Sequence, residues 1–532
     1  MNVRTLAPIL TAAALVSAIQ AQPPAASSAP TIHVYSRETL VDVTVTDSKG
    51  NPVHSLKQAD FTITEDGAPQ SIRSFQAFST PTTTAPHTLP KLPPNIYTNL
   101  QPGVGPLNVF LVDDVNGGDS AQARWAIASF IRKMAPGTRV ALVALGFRFT
   151  VLQGPTTDPA PLLNVVNRLV EPLSVPPAPM YDPCAPPIIV GNATLDQLKQ
   201  LATYLSGING RKNVIWIGSG NTELTSNGCQ SWRKPLQQIY DLLANAQITL
   251  YPLDPRGVRR LDGSQLAMEA VAEATGGIAL YERNDLDTLM ARAADSGASY
   301  YTLSYSPPSL AYDGRYHAIG VQVDKPGLHL VYRKGYTAED PQQTARSLEN
   351  SFGYTTRDKQ SAPAADPLSA AMALIIPPAT QLLFDVRVEP STTPPSPSDP
   401  PGAILGALNP KFSKAPLTRY SFLFAVPASQ IAFNAGDAGT YSGSLEFNLA
   451  AYDSEDHLVT SRSQTMKLPL TAAEYKQFIA TPFQLLQEID LPPGLITLRA
   501  GVLDGVSQKL GTLDIPMTVG HRTPLPLTIP KK

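Results

Sequence analysis

Cysteine is nearly absent from this chain: Cys184 and Cys229 are the only two in 532 residues. That excludes a disulfide-dense scaffold, and so long a chain has core enough to fold without staples. Charge is also scarce, at 16% of residues against a usual share of about 25%. Lys and Arg number 41 and Asp and Glu 43, giving a formal charge of -2. Without a cationic excess or a local basic stripe, the chain lacks the electrostatic footprint of a nucleic-acid binder. After the first residues, no apolar run approaches the roughly 20 residues that a membrane-spanning helix needs.

Enzyme signatures are sparse. The histidines are His33, His54, His87, His317, His329, His457 and His521, and none belongs to a compact zinc pattern such as His-Glu-x-x-His. Gly207 to Gly210 lacks the Gly-Lys-Ser/Thr ending of a phosphate loop. No Gly-x-Ser-x-Gly elbow stands out. Ser304, Ser306 and Asp313 lie near His317 in sequence, but proximity is not a triad. What the chain has in excess is proline, with 52 residues or about double the usual share. These gather in a few stretches that read as stiff connectors.

Met1 to Ala21 reads as a secretory signal, with Arg4 ahead of a small, apolar stretch and Ile19-Gln20-Ala21 as a processing site. The mature protein is therefore expected to be periplasmic or secreted. Residues 22–30 form a flexible tether, 31–80 a small β module and 81–107 a Pro/Thr-rich linker. Residues 108–337 form an α/β domain with a late β hairpin, His317 to Val323 and Leu328 to Arg333 around Pro326-Gly327. Residues 338–367 are a polar linker, 368–520 a β-sandwich-like domain and 521–532 a tail. The α/β reading rests on apolar runs such as Val109-Phe110-Leu111-Val112 and Val214-Ile215-Trp216-Ile217, alternating with amphipathic stretches. Wholly apolar strands imply a mostly parallel sheet covered on both faces, with function beyond the strand carboxyl ends. Trp216 is expected in the core, and Trp232 in a loop near Cys229.

Asp113 sits where a buried strand ends and a helix begins, with Asp114 and Asn116 just beyond. Oxygen ligands there could hold a hard divalent cation if other loops complete the sphere. Asp and Asn in such a loop serve equally well as helix caps. The second loop would be Gly154 to Asp158, with Thr156 and Thr157. The third would be Gly218 to Glu223, with Ser219 and Asn221.

Together these pieces resemble a von Willebrand factor type A (VWA) domain. More narrowly, they resemble the VWA-related exported bacterial proteins abundant in acidobacteria. The resemblance is carried by Val109 to Asn116, Arg139 to Leu145, Lys212 to Gly220, Tyr251 to Gly257 and Ser299 to Pro307. In the N-terminal module it is carried by Leu40 to Asp47, Gly50 to Val53, Asp60-Phe61 and Glu65 to Gly67. It implies a multidomain chain with a central Rossmann-like VWA domain, flanked by a small N-terminal β module and a C-terminal β-sandwich-like domain. The family's cation motif is Asp-x-Ser-x-Ser, completed by a threonine and an aspartate from two other loops. Asp113 falls on the motif's aspartate, but Val115 and Gly117 fall where the serines belong. Gly218-Ser219-Gly220 replaces the aspartate loop. A divalent cation (Mg, Ca or Mn) at Asp113 and Asn116 would have a depleted ligand set, and no cofactor is expected.

The reading that results is an exported binding or adhesion-like protein. Its rim would comprise Asp113, Asp114, Asn116, Thr156, Thr157, Ser219, Asn221 and Trp232. A disulfide between Cys184 and Cys229 would tie a Pro-rich insertion to that rim, contributing roughly 4 kcal/mol. The partner would be a protein or a cell-envelope component. Two alternatives stay open. One is an exported hydrolase assembled from distant loops, which His317 beside two acidic or hydroxyl partners would favour. The other is a purely structural envelope protein.

Overall fold

The computed structural model describes residues 38–79, 92–100, 105–113, 117–145, 149–169, 193–218, 230–258, 264–308, 312–339, 367–374, 376–392, 406–436 and 439–520. The expected signal, tether and tail lie outside these residues, as do Cys184 and Cys229 and most of the polar linker. Among the described residues, no helix is long and apolar enough to cross a membrane.

The chain opens with β1 (Thr39–Thr46), β2 (Phe61–Glu65), β3 (Ala68–Gln70), β4 (Ile72–Phe78) and β5 (Ile96–Thr98). The α/β region begins with β6 (Leu107–Val112), α1 (Gly117–Lys133), β7 (Arg139–Ala144), β8 (Thr150–Thr156) and α2 (Pro159–Arg168). It continues through α3 (Ala193–Ser206), β9 (Lys212–Ile217), α4 (Gln230–Asn245), β10 (Ile248–Leu253), α5 (Ser264–Thr275) and α6 (Leu286–Ala298).

Its five strands lie in the order β10-β9-β6-β7-β8, with β8 antiparallel at the edge and the other four parallel. Every residue of β6, β9 and β10 is buried, which is why each carries an apolar run such as Val109–Val112 or Val214–Ile217. Alternate side chains feed two cores. Val109, Leu111 and Trp216 pack with Leu198 and Leu205 of α3 and Leu243 of α4. Phe110, Ile215 and Tyr251 pack with Ile127 and Ile131 of α1 and Leu289 of α6. The sheet is thus doubly wound, and its strand order reverses between β6 and β9.

The strands after α6 do not join this sheet. They are β11 (Tyr300–Tyr305), β12 (Tyr316–Val323), β13 (His329–Val331) and β14 (Gly335–Thr337). β11 lies between β1 and β4, and β12 lies between β2 and β14. The segments expected to form a hairpin around Pro326-Gly327 separate instead, β13 going to β1 and β12 to β2. The physical reason is burial. β1 and β2 alone cannot cover Val41, Val43, Phe61 and Ile63, and the later strands bring Tyr301, Leu303, Tyr305, Ile319 and Val321 to complete that core. The α/β region therefore sits in the chain between two halves of one two-sheet β module.

Arg211 fastens the two layers together. Its guanidinium donates to Thr44 Oγ1 (3.2 Å) on β1 and to the Tyr251 hydroxyl (2.9 Å) on β10, and it lies 5.1 Å from the Tyr300 ring centroid.

The remainder is α7 (Pro367–Ala371), β15 (Asp385–Pro390), β16 (Ala407–Leu408), β17 (Thr418–Val426), β18 (Asn434–Ala435), β19 (Thr440–Tyr452), β20 (Leu458–Thr471), α8 (Ala472–Phe478), β21 (Phe483–Leu491), β22 (Gly494–Asp504) and β23 (Leu510–Val519). Sheet β21-β17-β15-β5 faces a sheet that contains β16-β20-β19-β22-β23. Phe422, Phe424 and Ile489 of the first pack on Phe447, Leu449, Leu498 and Ile515 of the second. This is the expected antiparallel sandwich, and β5, from the expected linker, adds to its edge.

Candidate functional site

An open doubly wound sheet leaves a crevice beyond its strand carboxyl ends, at the point where the strand order reverses. Here that point lies between β6 and β9, and Asp113 and Gly218 stand at its lip. The Asp113 N–H donates to the Ile217 carbonyl (2.9 Å), and the Gly218 N–H donates to the Leu253 carbonyl (3.1 Å). Sheet pairing thus carries both residues to the edge. A Cβ on Gly218 would meet the Asp113 carbonyl oxygen at 3.3 Å, so a side chain there would crowd the crevice. Trp216, buried in the core as expected, donates its indole Nε1–H to Asp113 Oδ2 at 3.0 Å. The carboxylate is aimed by a neutral donor from its own sheet.

A second carboxylate stands at the end of β10. Asp254 accepts from the Arg256 N–H (2.9 Å), and the guanidinium grips both of its oxygens, Nε to Oδ1 at 2.9 Å and Nη2 to Oδ2 at 2.7 Å. Gly257 follows at φ 75°, and a Cβ there would fall 2.2 Å from Asn284 Oδ1. That same oxygen accepts the Val258 N–H at 3.2 Å. The tight turn leaves Val258 67% exposed, and Leu266 in the first turn of α5 is exposed to the same degree. Two bare apolar side chains thus flank the loop that follows β10. Neither this pair nor the Asp254–Arg256 clamp has a strong signal in the sequence. Only the Tyr251 to Gly257 string and its turn-forming glycine pointed there.

Thr156 and Thr157 are not on this rim. β8 runs antiparallel to β7, with Thr150 opposite Ala144 and Thr156 opposite Val140. Thr156 therefore lies toward the amino ends of the parallel strands, about 13 Å along the sheet from the Asp113 end. Its Oγ1 accepts the Asp158 N–H (3.0 Å), and Asp158 caps α2 by accepting the Ala160 N–H (2.9 Å). Thr157 is exposed at the same turn. Trp232 belongs to the first turn of α4 rather than to a loop. Its side chain lies outside the described residues, as do Asp114, Asn116, Ser219 and Asn221.

His317 does gather carboxylates. Its Nδ1 lies 2.8 Å from Asp66 Oδ2, and its Nε2 lies 3.3 Å from Asp313 Oδ1. Burial opposes a charged ring, but the two carboxylates outweigh it and hold the His317 pKa above its usual value. Asp66, held by the Ala318 N–H at 2.8 Å and by His317, is pushed below the usual carboxylate range. Each ring nitrogen thus faces a carboxylate, and among the described residues no hydroxyl bonds to the ring. Asp66 and His317 come together only because β2 pairs with β12, a long-range contact with no local signature.

Among the described residues, two groups have metal-ligating atoms within 4.8 Å of one another: Glu65 with Asp66 and His317, and Asp453 with Glu455 and His457. Asp113 belongs to neither.

No family model matches the chain, and no curated protein matches it. Among solved structures it is similar to a von Willebrand factor type A protein from Catenulispora acidiphila, at 12% identity and a TM-score of 0.28, over 54% of this chain and 77% of that one. It is also similar to the vWF domain of the type V pili tip protein Mfa5 from Porphyromonas gingivalis, at 14% identity and a TM-score of 0.25, over 35% of this chain and 94% of that one. A PilB minor pilin from Streptococcus sanguinis is similar at 10% identity and a TM-score of 0.25, over 36% of this chain and 60% of that one. These likenesses are slight, and the fold described above rests on its own strand pairing.

Proposed function

We propose that this chain is an exported binding or adhesion-like protein of VWA-related type, of the kind abundant in acidobacteria. It recognises a protein or cell-envelope component with the loops beyond the carboxyl ends of β6, β9 and β10. The observation that carries the reading is the rim itself. It offers a fixed carboxylate at Asp113 and the bare Val258 and Leu266, on an edge braced from beneath by the buried Asp254 and its partner Arg256. Apolar anchors beside oriented polar groups are what a recognition surface requires.

Contact through this rim is direct rather than bridged by a cation. Asp113 already accepts from Trp216, and Val115 and Gly117 stand where a cation site would need hydroxyls. The reading includes a disulfide between Cys184 and Cys229, and mass spectrometry of the unreduced protein checks it. His317 beside Asp66 and Asp313 is the arrangement that favours the hydrolase alternative, and loss of a hydrolytic activity in His317→Ala would support that second reading.

The test is binding of purified protein to envelope fragments of the producing bacterium, measured in EDTA. Val258→Asp places a charge on an exposed position without touching the core. It is expected to weaken binding by at least about tenfold, in line with loss of an anchor worth over 1 kcal/mol, while the melting temperature holds. Unchanged binding by Val258→Asp and by Leu266→Asp would sink the rim reading.

A further inference from the structure

We propose that Glu65, Asp66 and His317 form a site for a divalent transition metal ion of the zinc class. It lies on the β module, apart from the Asp113 rim. The proposal goes beyond the binding function and stands or falls independently of it. An imidazole nitrogen with two carboxylate oxygens is a common zinc donor set, and water fills the fourth position of an open site.

The geometry suits such an ion. His317 Nδ1 lies 2.8 Å from Asp66 Oδ2 and 3.8 Å from Glu65 Oε1. Donor atoms around a tetrahedral zinc ion sit about 3.4 Å apart, given bonds of about 2.1 Å. These two separations bracket that value, and all three donor atoms lie within 4.8 Å of one another, so side-chain adjustment would bring them around one ion.

Each ligand is also held from behind, as metal ligands generally are. His317 turns its other nitrogen, Nε2, to Asp313 Oδ1 at 3.3 Å. Glu65 Oε2 accepts the Tyr305 hydroxyl (2.5 Å) and the Tyr336 hydroxyl (3.0 Å). Asp66 Oδ1 accepts the Ala318 N–H (2.8 Å). The backbone is equally constrained. Asp66 and Gly67 both take left-handed φ values, 50° and 82°, in the turn between β2 and β3. Glu65 pairs with Ile319 in the ladder that delivers His317.

A second observation is independent of the clustering. The Glu65 side chain is only 3% exposed, yet both hydroxyls that reach it go to Oε2. No described residue donates a hydrogen bond to Oε1, the oxygen that faces His317. Neither Glu65 nor Asp66 pairs with a lysine or arginine among the described residues. His317 Nδ1 lies 3.8 Å from Oε1, too far for a hydrogen bond, so an ion bound between them would engage an oxygen that no described donor engages. The other group, Asp453 with Glu455 and His457, lacks this feature. It is an exposed turn in which Asp453 is occupied by backbone N–H groups.

The experiment is calorimetric titration of the metal-stripped full chain with Zn2+, and with Co2+ as a spectroscopic probe. The expected result is one saturable site, with the intense visible absorption of four-coordinate cobalt. His317→Ala and Glu65→Gln are each expected to abolish it. Glu65→Gln keeps the side-chain shape and can still accept from the tyrosines, which guards against loss by misfolding. Asp313→Asn, acting through His317, is expected to weaken zinc by about 10- to 100-fold while leaving the site four-coordinate. His457→Ala is expected to change nothing. Absence of saturable zinc binding by the wild type would overturn the proposal. So would binding that survives both His317→Ala and Glu65→Gln, or that is lost in His457→Ala alone.

Discussion

Lys212 is the residue where burial and charge conflict most openly. It lies in β9 with almost no exposed surface, and its ammonium donates to the Ala246 carbonyl at 2.7 Å. Burial pushes its pKa down to about 7, against a partial pull upward from Asp42 and a further push down from Arg139. The folded group therefore sheds its proton near pH 7, while the unfolded group keeps it to about 10.4. Between these values the unfolded state binds more protons, so stability rises with pH. Below about pH 7 the penalty is carried in full. Lys212→Met is expected to stabilise the protein at pH 6 by about 1–3 kcal/mol after the orphaned carbonyl is counted. It should also flatten the melting temperature between pH 7 and pH 10. A series of thermal melts across that range checks both, and a wild-type melting temperature that falls from pH 7 to pH 9 would contradict the assignment. The sequence shows Lys212 only as a polar residue before an apolar run. Its complete burial depends on neighbours that no local pattern announces.

The elements divide by how local their causes are. β6, β9 and β10 are legible because strands buried on both faces favour runs of apolar residues, and each holds one, the polar exceptions being Asn108, Lys212, Asn213 and Thr249. α3 is marked by Leu195, Leu198, Leu201 and Leu205, which recur at helical spacing. β8 is different. All its residues are half-buried, and neither its existence nor its direction follows from a period. That is why the sequence places Thr156 and Thr157 on the rim whereas the strand pairing carries Thr156 to the other end of the sheet. α6 carries a sharper test. Gly297 packs so closely on β9 that a Cβ would fall 2.0 Å from Asn213 Oδ1. Asn213 cannot easily yield, being buried with its Nδ2 donating to Asn108 Oδ1 at 3.1 Å. Gly297→Ala gains up to about 1 kcal/mol of helix propensity. The overpacking costs about 1–3 kcal/mol. Net destabilisation is expected in a denaturant titration, and a more stable variant would show that the contact is slack.

At the scale of the molecule, the chain builds one β module from segments separated by the whole α/β region. β11 has β1 on one side and β4 on the other, and all six of its residues are buried. Deleting residues 31–80 would therefore strip both edges of β11 and leave β12 without β2. Such a chain is expected to aggregate or to lose protease resistance across 300–337, whereas a freestanding N-terminal module would leave the rest intact. Limited proteolysis separates the two. The sequence located both sets of strands but could not join them, because strand partnership over such distances has no local signature. The same limit hid the Glu65–Asp66–His317 cluster, while the Asp113 end of the sheet was found because it needs only a strand end and a following helix.

The account turns on Asp113 serving as a carboxylate fixed by Trp216 in a rim that binds without a bridging cation. The most direct measurement is calorimetric titration of metal-stripped protein with Mg2+, Ca2+ and Mn2+, on the wild type, Asp113→Ala and His317→Ala. The account predicts no saturable heat that depends on Asp113, and it assigns any Mn2+ signal to the site that His317→Ala removes. Saturable Mg2+, Ca2+ or Mn2+ binding that disappears in Asp113→Ala but persists in His317→Ala would contradict it and restore a cation-bridged mechanism at the rim.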